Sequence, residues 1–176
     1  MSLIHSLLFT SVIVLLPFLT FAQTKASHKE AIRQEFKFIN TDPHLKKKAV
    51  KNEAFLGQTT DGGSELTGFY KNGQLVKLVA WIGLSDGNKV VEFYFKDGFL
   101  IFVYGQFKTW VYDAKRDEFD HSKTRTIFEG RYYFHQQKMI DQITQGYMHA
   151  DDESFYKEQN LLGTAGNYVS LLEKKK

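Results

Sequence analysis

Three places in this chain collect residues that can do chemistry. His149, Asp151, Asp152 and Glu153 crowd into one short run, a mix of imidazole and carboxylate that can ligate a divalent cation. Asp117, Glu118, Asp120 and His121 form a second cluster rich in oxygen ligands. Glu92 and Glu129 fall in segments that read as neighbouring strands. Brought together across a sheet, they would form the carboxylate pair that glycoside hydrolysis requires.

Each group also has an explanation without chemistry. Three acids after His149 are what a helix N-terminus attracts, because its unpaired amides carry partial positive charge. The acids at 117–120 fall in a polar connection, where solvated charge is ordinary. Glu92 and Glu129 can each pair with Arg125 or Arg131 across the sheet. The histidines His28, His44, His121, His135 and His149 show no H-E-x-x-H or other metal spacing. The chain also lacks a G-x-S-x-G elbow, a P-loop, a G-x-G-x-x-G turn and an S-x-x-K pair. With no cysteine, disulfides, thiol catalysis and thiolate metal sites are excluded. The expectation is no catalytic set, no metal and no cofactor. A hydrolase with a site assembled across the sheet is the alternative.

The positive signal is aromatic: 16 Phe, 9 Tyr and 2 Trp, most of them in strand-like segments. Aromatic rings on a sheet are usually core. Six strands, however, offer two faces, and two helices packed together on one of them leave the other open. Trp81, Tyr94, Tyr104, Trp110 and Tyr112 are therefore the candidate binding surface, partly exposed and suited to a protein or glycan partner. A homodimer would satisfy the same surface.

The elements that must position these rings come from a phrase used three times: FYKNGQLVKLVA from Phe69, FYFKDGFLIFVY from Phe93 and YYFHQQKMIDQI from Tyr132. In each, an aromatic strand meets a short polar tip and then an apolar strand. Asn72-Gly73 and Asp97-Gly98 suit two-residue hairpin turns, whose central residues need positive φ. Gln136-Gln137 lacks glycine and suggests a longer or bulged turn. The prediction is a six-stranded antiparallel meander at 64–71, 74–83, 89–96, 99–112, 125–135 and 138–144. Strand 99–112 is apolar on both faces up to Tyr104, which makes it central and covered on both sides; Gly105 then suggests a bulge or bend. Ser27 and Glu30 have capping-box spacing ahead of Ile32, Phe36 and Ile39, so a helix is expected over 27–40, stopped by Asp42-Pro43. Residues 43–63 are weakly patterned, with a short strand expected near 54–58. Phe155, Leu162, Ala165, Val169 and Leu172 share a helical stripe over 151–173, which Gly163 and Gly166 weaken in the middle. The fold class is α+β: a meander sheet flanked by an N-terminal and a C-terminal helix, both on one face.

Ahead of the first helix, LIHSLLFTSVIVLLPFLTFA is an apolar run ending in the small-x-small pattern Thr20-Phe21-Ala22. It reads as a signal peptide over 1–22, followed by a single domain over 23–176, although only His5 stands in for the usual basic n-region. Cleavage removes the apolar run, so no membrane span is expected in the mature chain. An exported destination follows, periplasmic or extracellular. Lipoprotein anchoring is excluded for want of a cysteine. The net charge of +3 is local, in Lys46–Lys48 with Lys51 and in Lys174–Lys176, and reads as solvated ends rather than as a nucleic-acid interface.

The phrases DGGSELTGFYKNGQLVKL, EFYFKDGFLIFVY and FEGRYYFHQQKMI resemble small exported proteins of Bacteroidetes-type bacteria. That group has no established catalytic residues, so the resemblance implies an exported domain and no particular activity. Mass spectrometry of the native protein is expected to find the mature N-terminus at Gln23. An intact Met1 in the membrane fraction is the contrary result.

Overall fold

Each repeated phrase closes a hairpin through two residues in the left-handed region: Asn72 and Gly73 at φ 50° and 81°, Asp97 and Gly98 at 51° and 81°, Gln136 and Gln137 at 49° and 59°. The third turn is as short as the others despite having no glycine. Tyr132 and Phe134 pack on one face of the incoming strand and Tyr133 on the other, which fixes its register, and the pairing of His135 with Lys138 leaves only two residues in the loop. The computed structural model describes residues 18–148 and 150–174. Most of the predicted signal segment therefore lies outside the described residues.

The hairpins join β2 (Ser64–Lys71), β3 (Gln74–Leu84), β4 (Gly87–Lys96), β5 (Phe99–Asp113), β6 (Glu118–His135) and β7 (Lys138–Gly146). A further strand, β1 (Lys46–Lys51), pairs with β2, so the antiparallel meander has seven strands in sequence order rather than six. Its three consecutive lysines conceal the alternation that marks a strand. Only Val50 is buried, while the Lys48 ammonium donates to the Leu172 carbonyl. Lysine also suits an edge strand, where charge discourages pairing with another chain. The strand expected near 54–58 is instead a single helical turn, α2 (Glu53–Leu56), which buries Phe55.

The helix predicted over 27–40 is α1, Phe18–Thr41, ending where Pro43 requires. Ser27 lies inside it and caps nothing. The C-terminal segment divides into α3 (Ala150–Glu153) and α4 (Glu158–Lys174). The break comes before Glu158 and not at Gly163 or Gly166, where an added Cβ would meet nothing. Among the described residues, no helix is long and apolar enough to cross a membrane.

The two long helices take opposite faces of the sheet, contrary to the expectation that they share one. Ile32 and Ile39 of α1 pack on Tyr94, Phe102 and Tyr133. Leu161, Ala165 and Leu172 of α4 belong with Phe93, Val103 and Tyr132, the alternate positions on the same three strands. Large apolar groups alternate on both sides of β4, β5 and β6, so each face needs its own cover.

Gly105 is not a bulge. It pairs directly with Gly130, and the β4–β5 and β5–β6 registers run through it unbroken. A Cβ at Gly105 would come within 2.6 Å of the Tyr156 ring, and one at Gly130 within 2.6 Å of the Tyr132 ring. These two tyrosines stack 5.1 Å apart at 9°, so the glycine pair is a slot for two rings. Gly105→Ala is expected to cost about 1–3 kcal/mol, because Tyr156 is buried and cannot swing away. Gly163→Ala, in open space within α4, is expected to gain about 0.5–1 kcal/mol. Urea unfolding of the two variants beside wild type checks both signs.

Candidate binding face

Strand register sorts the side chains beneath and beyond α1 into rows. The first row is Lys77, Tyr94, Phe102, Tyr133 and Asp141. Next come Val79, Glu92, Tyr104, Arg131 and Ile143, then Trp81, Val90, Gln106, Glu129 and Gln145. Helix α1 covers the first row, where Phe36 lies 4.9 Å from the Tyr94 ring and 5.5 Å from Phe102. The later rows run out from under it.

All five predicted aromatic residues fall on this face, because Trp110 and Tyr112 continue the alternation of Phe102 and Tyr104 along β5. Their exposure differs. Tyr94 is fully buried beneath α1 and offers no ring surface to a partner. Trp81, Tyr104 and Trp110 are half-buried, and Tyr112 is 49% exposed. Two further rings join the far end. Phe119, 48% exposed, meets Tyr112 edge-on at 5.4 Å, and His121 lies 5.2 Å from Trp110.

These four rings sit on a projecting arm. Pairing to β4 ends at Thr109 and pairing to β7 begins at Phe128, so residues 110–127 form a two-stranded ribbon beyond both neighbours. The polar connection expected around 117–120 is shorter than its composition implies, since a strand without a core face shows no apolar alternation. Only 114–117 turn, and β6 begins at Glu118. The shielded indole N–H of Trp110 has no hydrogen-bond partner among the described residues.

The predicted carboxylates are not on neighbouring strands: Glu92 is on β4 and Glu129 on β6, with β5 between them, and each is engaged separately. Glu92 accepts from the Tyr94 hydroxyl and lies 3.0 Å from the Lys77 ammonium. Glu129 accepts from the Tyr104 hydroxyl, from Gln106 at 3.1 Å and from Arg131 at 3.3 Å. The hydrogen bond from Tyr104 holds the Glu129 carboxyl below its ordinary range. Burial, reinforced by Glu129, pushes the Tyr104 phenol up to about 12. A glycosidic general acid needs a raised carboxyl pKa, the opposite of what Glu129 has.

The acidic clusters behave similarly. Arg116 reaches Asp113, Glu118 and Asp120 at 2.9, 3.0 and 3.8 Å, and Lys123 reaches Asp120 at 2.9 Å. Asp120 is held well below its usual range, chiefly by the Ser122 hydroxyl. In the C-terminal cluster His149 lies outside the described residues, and Asp152 pairs with Lys89. Among the described residues no three His, Asp or Glu side chains come together to hold a metal. His28 and His135 stack with ring centres 3.7 Å apart, a contact that no local pattern announces. Against protein-family models, curated proteins and solved structures, the chain finds no match.

Because folding depresses the Glu129 pKa, its contribution to stability is present above the unfolded value of about 4.3 and is lost as pH falls through the folded value. The stability gap between wild type and Glu129→Gln is expected to be widest near neutrality and to shrink in acid. Denaturant titrations across pH 2–7 check this; a gap that widens in acid contradicts the assignment.

Proposed function

We propose that the protein is an exported, non-catalytic binding module of the cell envelope, which takes a protein or glycan partner on the α1-bearing face. The observation that carries this reading is the aromatic lining of the β5–β6 arm: Trp110, Tyr112, Phe119 and His121 extend past the neighbouring strands. Exposed rings without neighbours are ordinary, whereas rings grouped on a projecting ribbon present area that a partner can desolvate. Half-buried Trp81 and Tyr104 continue the face toward the helix, with Gln106, Glu129 and Arg131 as polar groups among the rings. Aromatic area mixed with directional polar groups suits both protein surfaces and sugars. The unpartnered Trp110 N–H adds a donor that a ligand acceptor could satisfy on local opening. Export rests on the N-terminal apolar segment and its small-x-small end.

The test is retention of the purified mature domain on envelope fractions from its host, with Trp110→Ala/Tyr112→Ala as the comparison. Wild type is expected to remain monomeric in sedimentation and to bind, and the double variant to lose at least about tenfold in affinity, since truncated aromatic anchors commonly cost about 2 kcal/mol or more. Equal retention would remove the arm from the reading. Concentration-dependent dimerisation lost in the double variant would assign the surface to self-association.

A further inference from the structure

A second site lies on the same face but under the helix. Between α1 and the sheet is a cleft of about 330 Å³ lined by Ile32, Arg33, Phe36, Phe102, Tyr104, Arg131 and Tyr133. Its floor is aromatic. Phe36 meets Phe102 edge-on at 5.5 Å, and Phe102 lies 5.0 Å from Tyr133. Two guanidinium groups stand in its walls, Arg33 from the helix and Arg131 from β6, and among the described residues no carboxylate lines it.

Both guanidinium groups have spare capacity. Among the described residues Arg33 reaches only Glu30, at 3.5 Å, with both side chains more than half exposed, so the pair contributes little. Arg131 touches Glu129 through one nitrogen at 3.3 Å, while Glu129 also serves Tyr104 and Gln106. The Arg131 guanidinium lies 5.3 Å from the Tyr104 ring centre, which restrains the side chain without using its N–H donors. Two planar forks, each with five N–H donors, thus stand at an apolar slot, and such forks match a carboxylate bidentately. Lys29, over the Tyr133 ring at 4.9 Å, adds positive potential nearby, although it and Lys25 share Asp141.

We infer that this cleft binds a small organic anion with an apolar body, the body on Phe36, Phe102 and Tyr133 and the carboxylate on Arg33 and Arg131. The volume is at the low end of the range of about 300–1,000 Å³ for small-molecule sites, which limits the body to about one ring or a short acyl chain. This site shares Tyr104 and Arg131 with the proposed partner face but none of the rings of the arm, so it stands whether or not the arm has a partner.

The experiment is titration of the isotopically labelled mature domain with phenylpropionate, read by amide and side-chain NMR shifts. Phenylpropanol and inorganic phosphate serve as comparisons, one keeping the body and the other only the charge. Phenylpropionate is expected to bind with a Kd of roughly 1 mM or tighter and to shift Ile32, Arg33, Phe36, Tyr104 and Arg131. Each comparison compound is expected to bind at least about tenfold more weakly, and added salt to weaken phenylpropionate binding. Arg131→Gln and, separately, Arg33→Gln should each reduce affinity by about tenfold. Arg33 lies on an exposed helix face, so its variant decides the matter should Arg131→Gln fail to fold. Equal binding of phenylpropanol or of phosphate, shifts that map elsewhere, or wild-type affinity in folded variants would each overturn the inference.

Discussion

A strand with large apolar side chains on both faces cannot leave either face to water, and the architecture follows from that constraint. β5 sends Phe102 toward α1 and Val103 toward the opposite side, where α4 packs. β4 and β6 repeat the division, with Tyr94 and Tyr133 on one side and Phe93 and Tyr132 on the other. Burying a ring of this size contributes about 2–3 kcal/mol, so neither set can be abandoned to solvent. One helix goes to each face, giving three layers from the two long helices of the described residues.

The two faces are finished differently. On the α4 side the fit is close: Gly105 and Gly130 lack Cβ atoms where the Tyr156 and Tyr132 rings lie flat against the strands. The pair also leaves the Tyr132 hydroxyl shielded and, among the described residues, without a partner, so ring packing there outweighs a hydrogen bond. On the α1 side the fit is partial. The helix covers one row of residues and leaves the rows beyond it to a polar network in which Tyr104 and Tyr94 donate to Glu129 and Glu92. Both proposed binding surfaces accordingly lie on the α1 side, one in the cleft between helix and sheet and one along the arm beyond it.

The polar network also explains why paired carboxylates need not imply catalysis. Glu92 is occupied by the Tyr94 hydroxyl and Lys77, and Glu129 by the Tyr104 hydroxyl, the Gln106 amide and Arg131, which hold it below its ordinary range. Such groups orient one another and the strands that carry them. They hold Glu129 as a negative point on a face whose other side, at Arg33 and Lys29, is positive.

Local signals were sufficient for the α+β class, for the hairpins and for the first helix. Asn72-Gly73 and Asp97-Gly98 set turn type through backbone conformation alone, and alternation then phases the strands on either side. That phasing was legible enough to assign the β2 boundaries and to nominate aromatic residues that all fall on one face. Three features escaped it. β1 was hidden because an edge strand of lysines has almost no buried face to advertise. The arm was hidden because a ribbon without a core carries no alternation. The purpose of Gly105 was hidden because Tyr156, which requires it, is remote in sequence. Which face each helix takes, which of the five rings is covered, and how Arg33 comes to stand opposite Arg131 were likewise decided only by tertiary structure. Period and turn chemistry act between residues a few positions apart, whereas cover, closeness and charge pairing arise between segments that meet only when the chain is folded.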